Sequence, residues 1–126
     1  MSGIIDASAI LAIMLDEQGS DVALEVVEGA RVSAVNLSEV YRKLVDQGMP
    51  LADAIFVSGR FRMFPVPFDA EQAAEAARLR PLTRHMGFSF ADRACLALAG
   101  LMRLPVYTAD RDWAKIDLGL DIRLIR

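Results

Sequence analysis

Short apolar segments rich in β-branched residues alternate with longer segments of helical pattern along almost the whole chain. The predicted strands are GIID (3–6), RVSAV (31–35), FPVPF (64–68), PVYT (105–108) and DIRLI (121–125). The proline-rich FPVPF segment suits only a short or edge strand, because proline cannot donate to a central ladder. Strands separated by helices require crossover connections, so the pattern predicts an α/β fold. We expect a three-layer α/β/α sandwich around a mainly parallel sheet.

Capping residues predict where the helices lie between these strands. Serine, aspartate and asparagine favour the first position of a helix, proline suits its first turn, and glycine commonly ends it. We expect helices that start at Ser8, run from Ser20 to Gly29, from about Asn36 to Gln47 and from Pro50 to about Met63, start at Asp69 and at Ser89, and form a short turn around Trp113.

The composition is that of a globular protein that works in a reducing compartment. A length of 126 residues predicts a single domain over residues 1–126. The chain is 54% hydrophobic, which suggests that a partner or a second copy covers part of its surface. A net charge of −3 argues against a generic polyanion binder, and a single cysteine, Cys95, excludes an internal disulfide. No signal peptide or membrane-spanning segment is recognisable, so we expect a cytoplasmic protein.

Several acidic residues follow the predicted strands or begin the helices after them. Asp6 ends the first strand, Glu39 lies in the first turn after the second, and Asp92 lies in the first turn of the Ser89 helix. Asp110 follows PVYT, and Asp112 lies two residues further on. Because the carboxyl ends of parallel strands meet at one edge of a sheet, we expect these acids to converge there.

Helix capping is the alternative explanation for each acid taken alone. Ser89 and Asp92 match the spacing of a capping box, and Asn36 and Glu39 form a similar pair. Asp110 could cap the Trp113 turn, and Asp6 could be an ordinary turn residue. Capping and metal binding can coexist at one position, so both interpretations stay open here.

A cluster of four or five carboxylates needs positive charge nearby. The only lysines in the chain are Lys43 and Lys115, so a divalent cation with oxygen ligands, Mg²⁺ or Mn²⁺, is the favoured counter-charge. Such a site suits metal-dependent hydrolysis of phosphate esters. Two other α/β classes fit less well. A receiver domain needs an adjacent acidic pair and a late lysine, and a haloacid-dehalogenase-type phosphatase needs a second aspartate two residues after Asp6.

The segments IIDASAILA, VSAVNLSEV, GFSFADRACLALA and VYTADRDW occur in the order and rough spacing of the PIN domain. This resemblance covers nearly the whole chain. Within the family, the chain resembles most the VapC-type toxins of bacterial toxin–antitoxin systems. The resemblance implies an Mg²⁺- or Mn²⁺-dependent endoribonuclease that leaves a 5′-phosphate and a 3′-hydroxyl. It also implies a homodimer and a cognate VapB-like antitoxin. The tail of that antitoxin would occupy the acidic groove, and its other end would bind DNA.

The resemblance also assigns roles to individual residues. The catalytic and metal-binding acids would be Asp6, Glu39, Asp92 and Asp110, with Asp112 at a more variable position. Ser8 and Thr108 match hydroxyl positions that hydrogen-bond within the site, and Asn36 matches a polar position close to it.

Three arginines beside these motifs, Arg84, Arg93 and Arg111, are candidate RNA contacts, although Arg93 could equally brace Asp92. The Pro50–Met63 helix and the one near Asp21–Glu28 could form a groove for an antitoxin helix. Two alternative functions stay open: a PIN nuclease for RNA processing or DNA cleavage outside a toxin–antitoxin system, and a non-catalytic binding module.

Overall fold

The computed structural model describes residues 3–126, which form a five-stranded sheet flanked by helices. The strands are β1 (Ile4–Ile5), β2 (Arg31–Ser33), β3 (Phe64–Val66), β4 (Val106–Thr108) and β5 (Ile122–Leu124). The helices are α1 (Ala7–Met14), α2 (Ser20–Val27), α3 (Ala34–Asp46), α4 (Leu51–Gly59), α5 (Ala70–Arg78), α6 (Arg80–Thr83) and α7 (Phe90–Met102), with 3₁₀ turns at Arg84–Met86 and Arg111–Lys115.

All four strand pairings in the sheet are parallel, and the strand order is β3-β2-β1-β4-β5. β1 is therefore central, between β2 and β4, although it contains only two residues. β3 lies at an edge, which suits Pro65 within it. The predicted parallel sheet with an edge position for FPVPF is confirmed.

Two hydrophobic cores lie on opposite faces of the sheet. Ile5 packs with buried residues of α1 to α4, whereas Ile4 packs with α5, α7 and Trp113. Adjacent residues of a strand point to opposite faces of the sheet, so Ile4 and Ile5 contact the helix layers on either side of it. The sheet and these two helix layers are the three layers of the sandwich. The α/β/α sandwich predicted from the sequence is confirmed.

Three helix boundaries differ from the sequence predictions. Asp6, not Ser8, is the N-cap of α1, and the first strand stops at Ile5. Ser33 caps α3, so this helix starts at Ala34 and not near Asn36. The α4 helix stops at Gly59, before the predicted end near Met63.

Backbone hydrogen bonds bring segments that are distant in sequence together at the carboxyl edge of the sheet. The Asp6 backbone amide donates to the Tyr107 carbonyl at 3.1 Å, and the Ile125 amide donates to the Thr108 carbonyl at 2.9 Å. The segments that follow β1 and β4 therefore lie side by side, over 100 residues apart in sequence. Over residues 3–126, the helices are too short or too polar to cross a membrane.

Candidate active site

Asp6 is the most buried carboxylate at this edge, with 5% of its surface exposed. Its Oδ1 accepts the Ala9 backbone amide at 3.0 Å, which is the N-cap bond of α1. The Ser8 hydroxyl donates to Oδ1 at 2.8 Å, and the Thr108 hydroxyl donates to Oδ2 at 2.8 Å. The Ser8 Oγ in turn accepts the Ala109 amide. Two hydroxyls and a helix N-terminus thus fix the orientation of the Asp6 carboxylate.

Asp92 and Asp110 cap helical segments through one carboxylate oxygen each. Ser89 accepts the Asp92 amide at 3.1 Å, and Asp92 Oδ2 accepts the Ser89 amide at 2.9 Å, which completes the predicted capping box of α7. Asp110 Oδ1 accepts the Asp112 amide at 3.0 Å and caps the 3₁₀ turn around Trp113. The other oxygens, Asp92 Oδ1 and Asp110 Oδ2, accept no hydrogen bond from residues 3–126.

Glu39 lies in the second turn of α3, not in the first turn as expected, because α3 starts at Ala34. Its half-buried side chain is near Asn36, whose Nδ2 donates to the Ala91 carbonyl at 3.0 Å. That bond ties α3 to the first turn of α7. The other amide atom, Asn36 Oδ1, is buried without a hydrogen-bond partner among the described residues.

These acids influence one another electrostatically. Burial raises the pKa of Asp6 to about 6, hydrogen bonds from Ala9, Ser8 and Thr108 oppose the rise, and the charge of Asp92 adds to it. Burial likewise raises the pKa of Glu39, and Asp92 contributes to that rise.

Burial is also the main cause of a raised pKa at Asp92, to which the charge of Asp110 adds. The four acids therefore form one electrostatic cluster, with Asp92 at its centre.

Within residues 3–126, no acid of this cluster forms an ion pair with a lysine or an arginine. The ion pairs found there involve other acids, and one of them is Asp112, whose Oδ1 contacts Lys115 Nζ at 2.8 Å. Asp112 is thus the one predicted site acid that already has a counter-charge. Among the described residues, no three potential ligand side chains are drawn together closely enough to hold a metal ion. The structure brings the acids to one edge but does not place them at ligating distances.

The three candidate arginines differ in their contacts. Arg84 is exposed, and Arg111 Nε donates to the Arg126 carbonyl at 3.2 Å. The Arg93 guanidinium donates to the Ala76 carbonyl at 2.9 Å, which ties α7 to α5. Arg93 therefore braces α5, and its contribution to lowering the pKa of Asp92 is a minor one.

Sequence reasoning missed two features of this edge. Ser33 accepts the Val35 amide as the N-cap of α3, and serine at the end of the second strand was the available signal. Phe68 and Phe90 form an aromatic pair beside the Ser89–Asp92 turn. Their contact links segments from different parts of the chain and left no local signal.

Comparisons with known proteins agree with this architecture. The family model of the PIN domain matches residues 4–118. A search of curated protein sequences finds no match. Among solved structures, the chain is similar to one in the VapBC2 complex from Rickettsia felis bound to a promoter DNA fragment, with a TM-score of 0.76, 16% identity and 98% of each chain covered.

Two further structures have a similar fold. One is the DNA-bound VapBC of Salmonella typhimurium, with a TM-score of 0.75, 18% identity and 100% of each chain covered. The other is VapC20 of Mycobacterium tuberculosis, described as a toxin that cleaves the sarcin–ricin loop. Its TM-score is 0.69 at 18% identity, over 89% of this chain and 92% of that chain. Together with a family model that covers nearly all of the sequence, these likenesses show that the chain belongs to the PIN domain family.

Proposed function

We propose that this protein is a divalent-metal-dependent endoribonuclease and the toxin of a VapBC-like toxin–antitoxin pair. The observation that carries the proposal is the acidic cluster of Asp6, Glu39, Asp92 and Asp110. Burial and mutual repulsion raise the pKa values of the first three. No ion pair within residues 3–126 offsets their charge. A fold that keeps such a cluster at the ligand-binding edge of its sheet is suited to a bound cation.

The donors at this edge fit Mg²⁺ or Mn²⁺. All four acids supply carboxylate oxygens, which are the ligands that these hard cations prefer. Asp92 Oδ1 and Asp110 Oδ2 are free to ligate without breaking the capping bonds of their partner oxygens. Asp6, Asp92 and Asp110 would hold the ion directly or through water. Asp112 would need to leave Lys115 first, so we assign it no direct role.

Different residues of the site have different roles in the proposed hydrolysis of a phosphodiester. A bound cation supplies charge neutralisation at the phosphate and a lower pKa for bound water. Ser8 and Thr108 keep Asp6 oriented. The Glu39 carboxylate orients the attacking water and accepts its proton, a role favoured by its raised pKa. In-line attack of the water on phosphorus would break the P–O3′ bond, and the departing 3′-oxygen would take a proton from solvent, so that the products are a 5′-phosphate and a 3′-hydroxyl.

RNA would approach this acidic edge through the exposed arginines beside it. Arg84 and Arg111 are exposed and available for phosphate contacts, since Arg111 uses only its Nε on the Arg126 carbonyl, whereas Arg93 is only partly exposed and binds the Ala76 carbonyl. The comparison with VapC20, a toxin that cleaves the sarcin–ricin loop, favours a structured RNA as the substrate.

An antitoxin would cover the exposed apolar surface of α4 and α2. Leu51, Ile55 and Phe56 of α4 and Leu24 of α2 are large apolar residues that remain exposed. Beside α4 lies a mainly apolar cleft of about 410 Å³ lined by residues of α1, α3 and α4. An amphipathic helix can bury such a surface. The VapBC complexes of similar fold favour a VapB-like partner and, through it, indirect contact with DNA.

The decisive experiment is cleavage of structured RNAs by metal-stripped protein, with and without added Mg²⁺ or Mn²⁺. Wild type, Asp6→Asn and Asp92→Asn are compared with Asp21→Asn, which removes an exposed carboxylate of α2. We expect cleavage to return with metal in wild type and in the control and to be lost in the two site variants. Thermal unfolding of each variant verifies that it is folded.

Two results would contradict the proposal. Cleavage at the wild-type rate by folded Asp92→Asn would remove the acidic cluster from the mechanism. Absence of cleavage together with no metal binding in calorimetry would leave the acids as helix caps alone. The same preparations, run with single-stranded and duplex DNA, distinguish a ribonuclease from a PIN nuclease that acts on DNA.

A further inference from the structure

Phe90 is an exposed aromatic residue at the start of an otherwise buried helix. It is the first residue of α7 and is 49% exposed, whereas residues 94–99 of the same helix are buried. The exposed half of a phenylalanine side chain gains no free energy from burial. Its position therefore invites a functional explanation.

The Phe90 ring is held in place by neighbours from two other segments. The Phe68 ring packs against it edge-to-face, with centroids 5.4 Å apart and planes at 85°. The Arg93 guanidinium lies 5.8 Å from its centroid, and the bond from Arg93 to the Ala76 carbonyl anchors that group. Because the ring is already oriented, a ligand that stacks on its open side has little ordering cost to overcome.

The Phe90 ring and one acid of the cluster, Asp92, belong to the same helical turn. Phe90 and Asp92 are the first and third residues of α7, and the capping box with Ser89 fixes that turn. Asn36 binds the carbonyl of the intervening residue, Ala91. Phe68 lies two residues beyond β3, at the same carboxyl edge of the sheet. The aromatic pair therefore lies at the same carboxyl edge of the sheet as the acids, and its member Phe90 shares the first turn of α7 with Asp92.

Resting on the proposed ribonuclease function, we propose that Phe90 is a stacking platform for a nucleobase adjacent to the cleaved phosphodiester. Unpaired bases of RNA are commonly bound by stacking on aromatic side chains, and Arg beside the ring adds attraction. With the phosphate at Asp92, an unstacked neighbouring base can reach the Phe90 ring. Phe90 then contributes to the affinity for RNA and to the preference for cleavage beside unpaired bases. The acids carry out the hydrolysis of the phosphodiester.

Equilibrium binding tests this role separately from cleavage. Fluorescein-labelled single-stranded RNA of mixed sequence is titrated with Asp6→Asn protein in Mg²⁺, and fluorescence anisotropy gives Kd. The variants Phe90→Ala, Phe90→Trp and Phe64→Ala are made in that background. Phe64 is the matched control, because it is 60% exposed and begins β3 at the opposite edge of the sheet.

We expect Phe90→Ala to weaken binding by about 5- to 100-fold, the range for loss of one base–aromatic stack. Phe90→Trp should retain binding, and Phe64→Ala should leave it unchanged. An RNA backbone of the same length without bases should bind the parent more weakly and should no longer distinguish the parent from Phe90→Ala. With Asp6 restored, Phe90→Ala should raise KM for RNA and leave kcat unchanged.

Equal RNA affinity of Phe90→Ala and its parent, while wild type cleaves RNA, would overturn the stacking role and leave the ribonuclease function intact. Failure of wild type to cleave and of the parent to bind RNA would overturn both. Sedimentation velocity provides a further check. If Phe90→Ala separates a dimer that wild type forms, the ring is a subunit contact and the stacking role is wrong.

Discussion

Replacing Asp6 by asparagine is expected to stabilise the metal-free protein at neutral pH. Burial raises the pKa of Asp6 from its ordinary value of 3.8 to about 6. A rise of about two pKa units corresponds to about 3 kcal/mol, since each unit equals about 1.4 kcal/mol. That is a large fraction of the total stability of a small domain.

Whether Asp6→Asn is more or less stable than wild type depends on the protonation state of Asp6 that the folded protein prefers. The folded protein binds the Asp6 proton more tightly than the unfolded chain, so this contribution is fully favourable below pH 3.8. It is lost as the pH rises through 6. Asparagine carries no charge at any of these pH values, so it has no such dependence on pH. The variant should therefore be more stable than wild type by up to about 3 kcal/mol above pH 6, with the difference shrinking toward zero near pH 4.

The assay is thermal and urea unfolding of both proteins in a chelator, between pH 4 and pH 8. A gain of 3 kcal/mol corresponds to about 10 °C in Tm for a domain of this size. The asparagine Oδ1 can still accept from the Ser8 hydroxyl and the Ala9 amide, and its Nδ2 can donate to the Thr108 hydroxyl, so the local hydrogen bonds survive. Asp21→Asn is the control, and its stability difference should not follow the same pH profile. A destabilised Asp6→Asn protein at pH 8, or a difference that does not change with pH, would refute the reasoning.

Three further predictions concern packing, backbone conformation and burial. Arg93→Ala should lower the free energy of unfolding by about 1–3 kcal/mol in urea, because a charged hydrogen bond to α5 is lost, and an unchanged value would deny the bracing role. Gly19→Ala should lower Tm more than Gly48→Ala. Both glycines have positive φ, but a Cβ at Gly19 would lie 2.6 Å from the Ile125 carbonyl oxygen, whereas Gly48 faces open space. Equal Tm losses in differential scanning fluorimetry would contradict that comparison. Burial raises the pKa of the Cys95 thiol, so it should resist iodoacetamide until urea unfolds the protein, and mass spectrometry would detect any labelling of the native form.

The fold and the location of the candidate site could be predicted because their signals are local. The alternation of strands and helices defines the sandwich, and the Ser89–Asp92 spacing defines a capping box that the structure confirms. Asp6 and Ser8 are both good capping residues two positions apart, so the sequence could not decide between them. The structure selects Asp6 because the first strand is only two residues long.

Contacts between distant segments could not be predicted. The bonds from Asn36 to Ala91 and from Arg93 to Ala76 depend on how α3 and α5 pack against α7. The same holds for the orientation of the Phe90 ring against Phe68. Nothing in the residue pattern marks the partners in these contacts, because each pair forms only when the layers of the sandwich come together.

The central position of β1 affects when the acidic set can assemble during synthesis. β1 leaves the ribosome before its partner β4, and the residues Thr108 and Asp110 follow about a hundred residues after β1. Until β4 emerges, the Asp6 carboxylate lacks its Thr108 bond and the cluster lacks Asp110. A nascent chain that stops short of β4 therefore holds only part of the acidic set, and the complete set forms only after Asp110 has emerged.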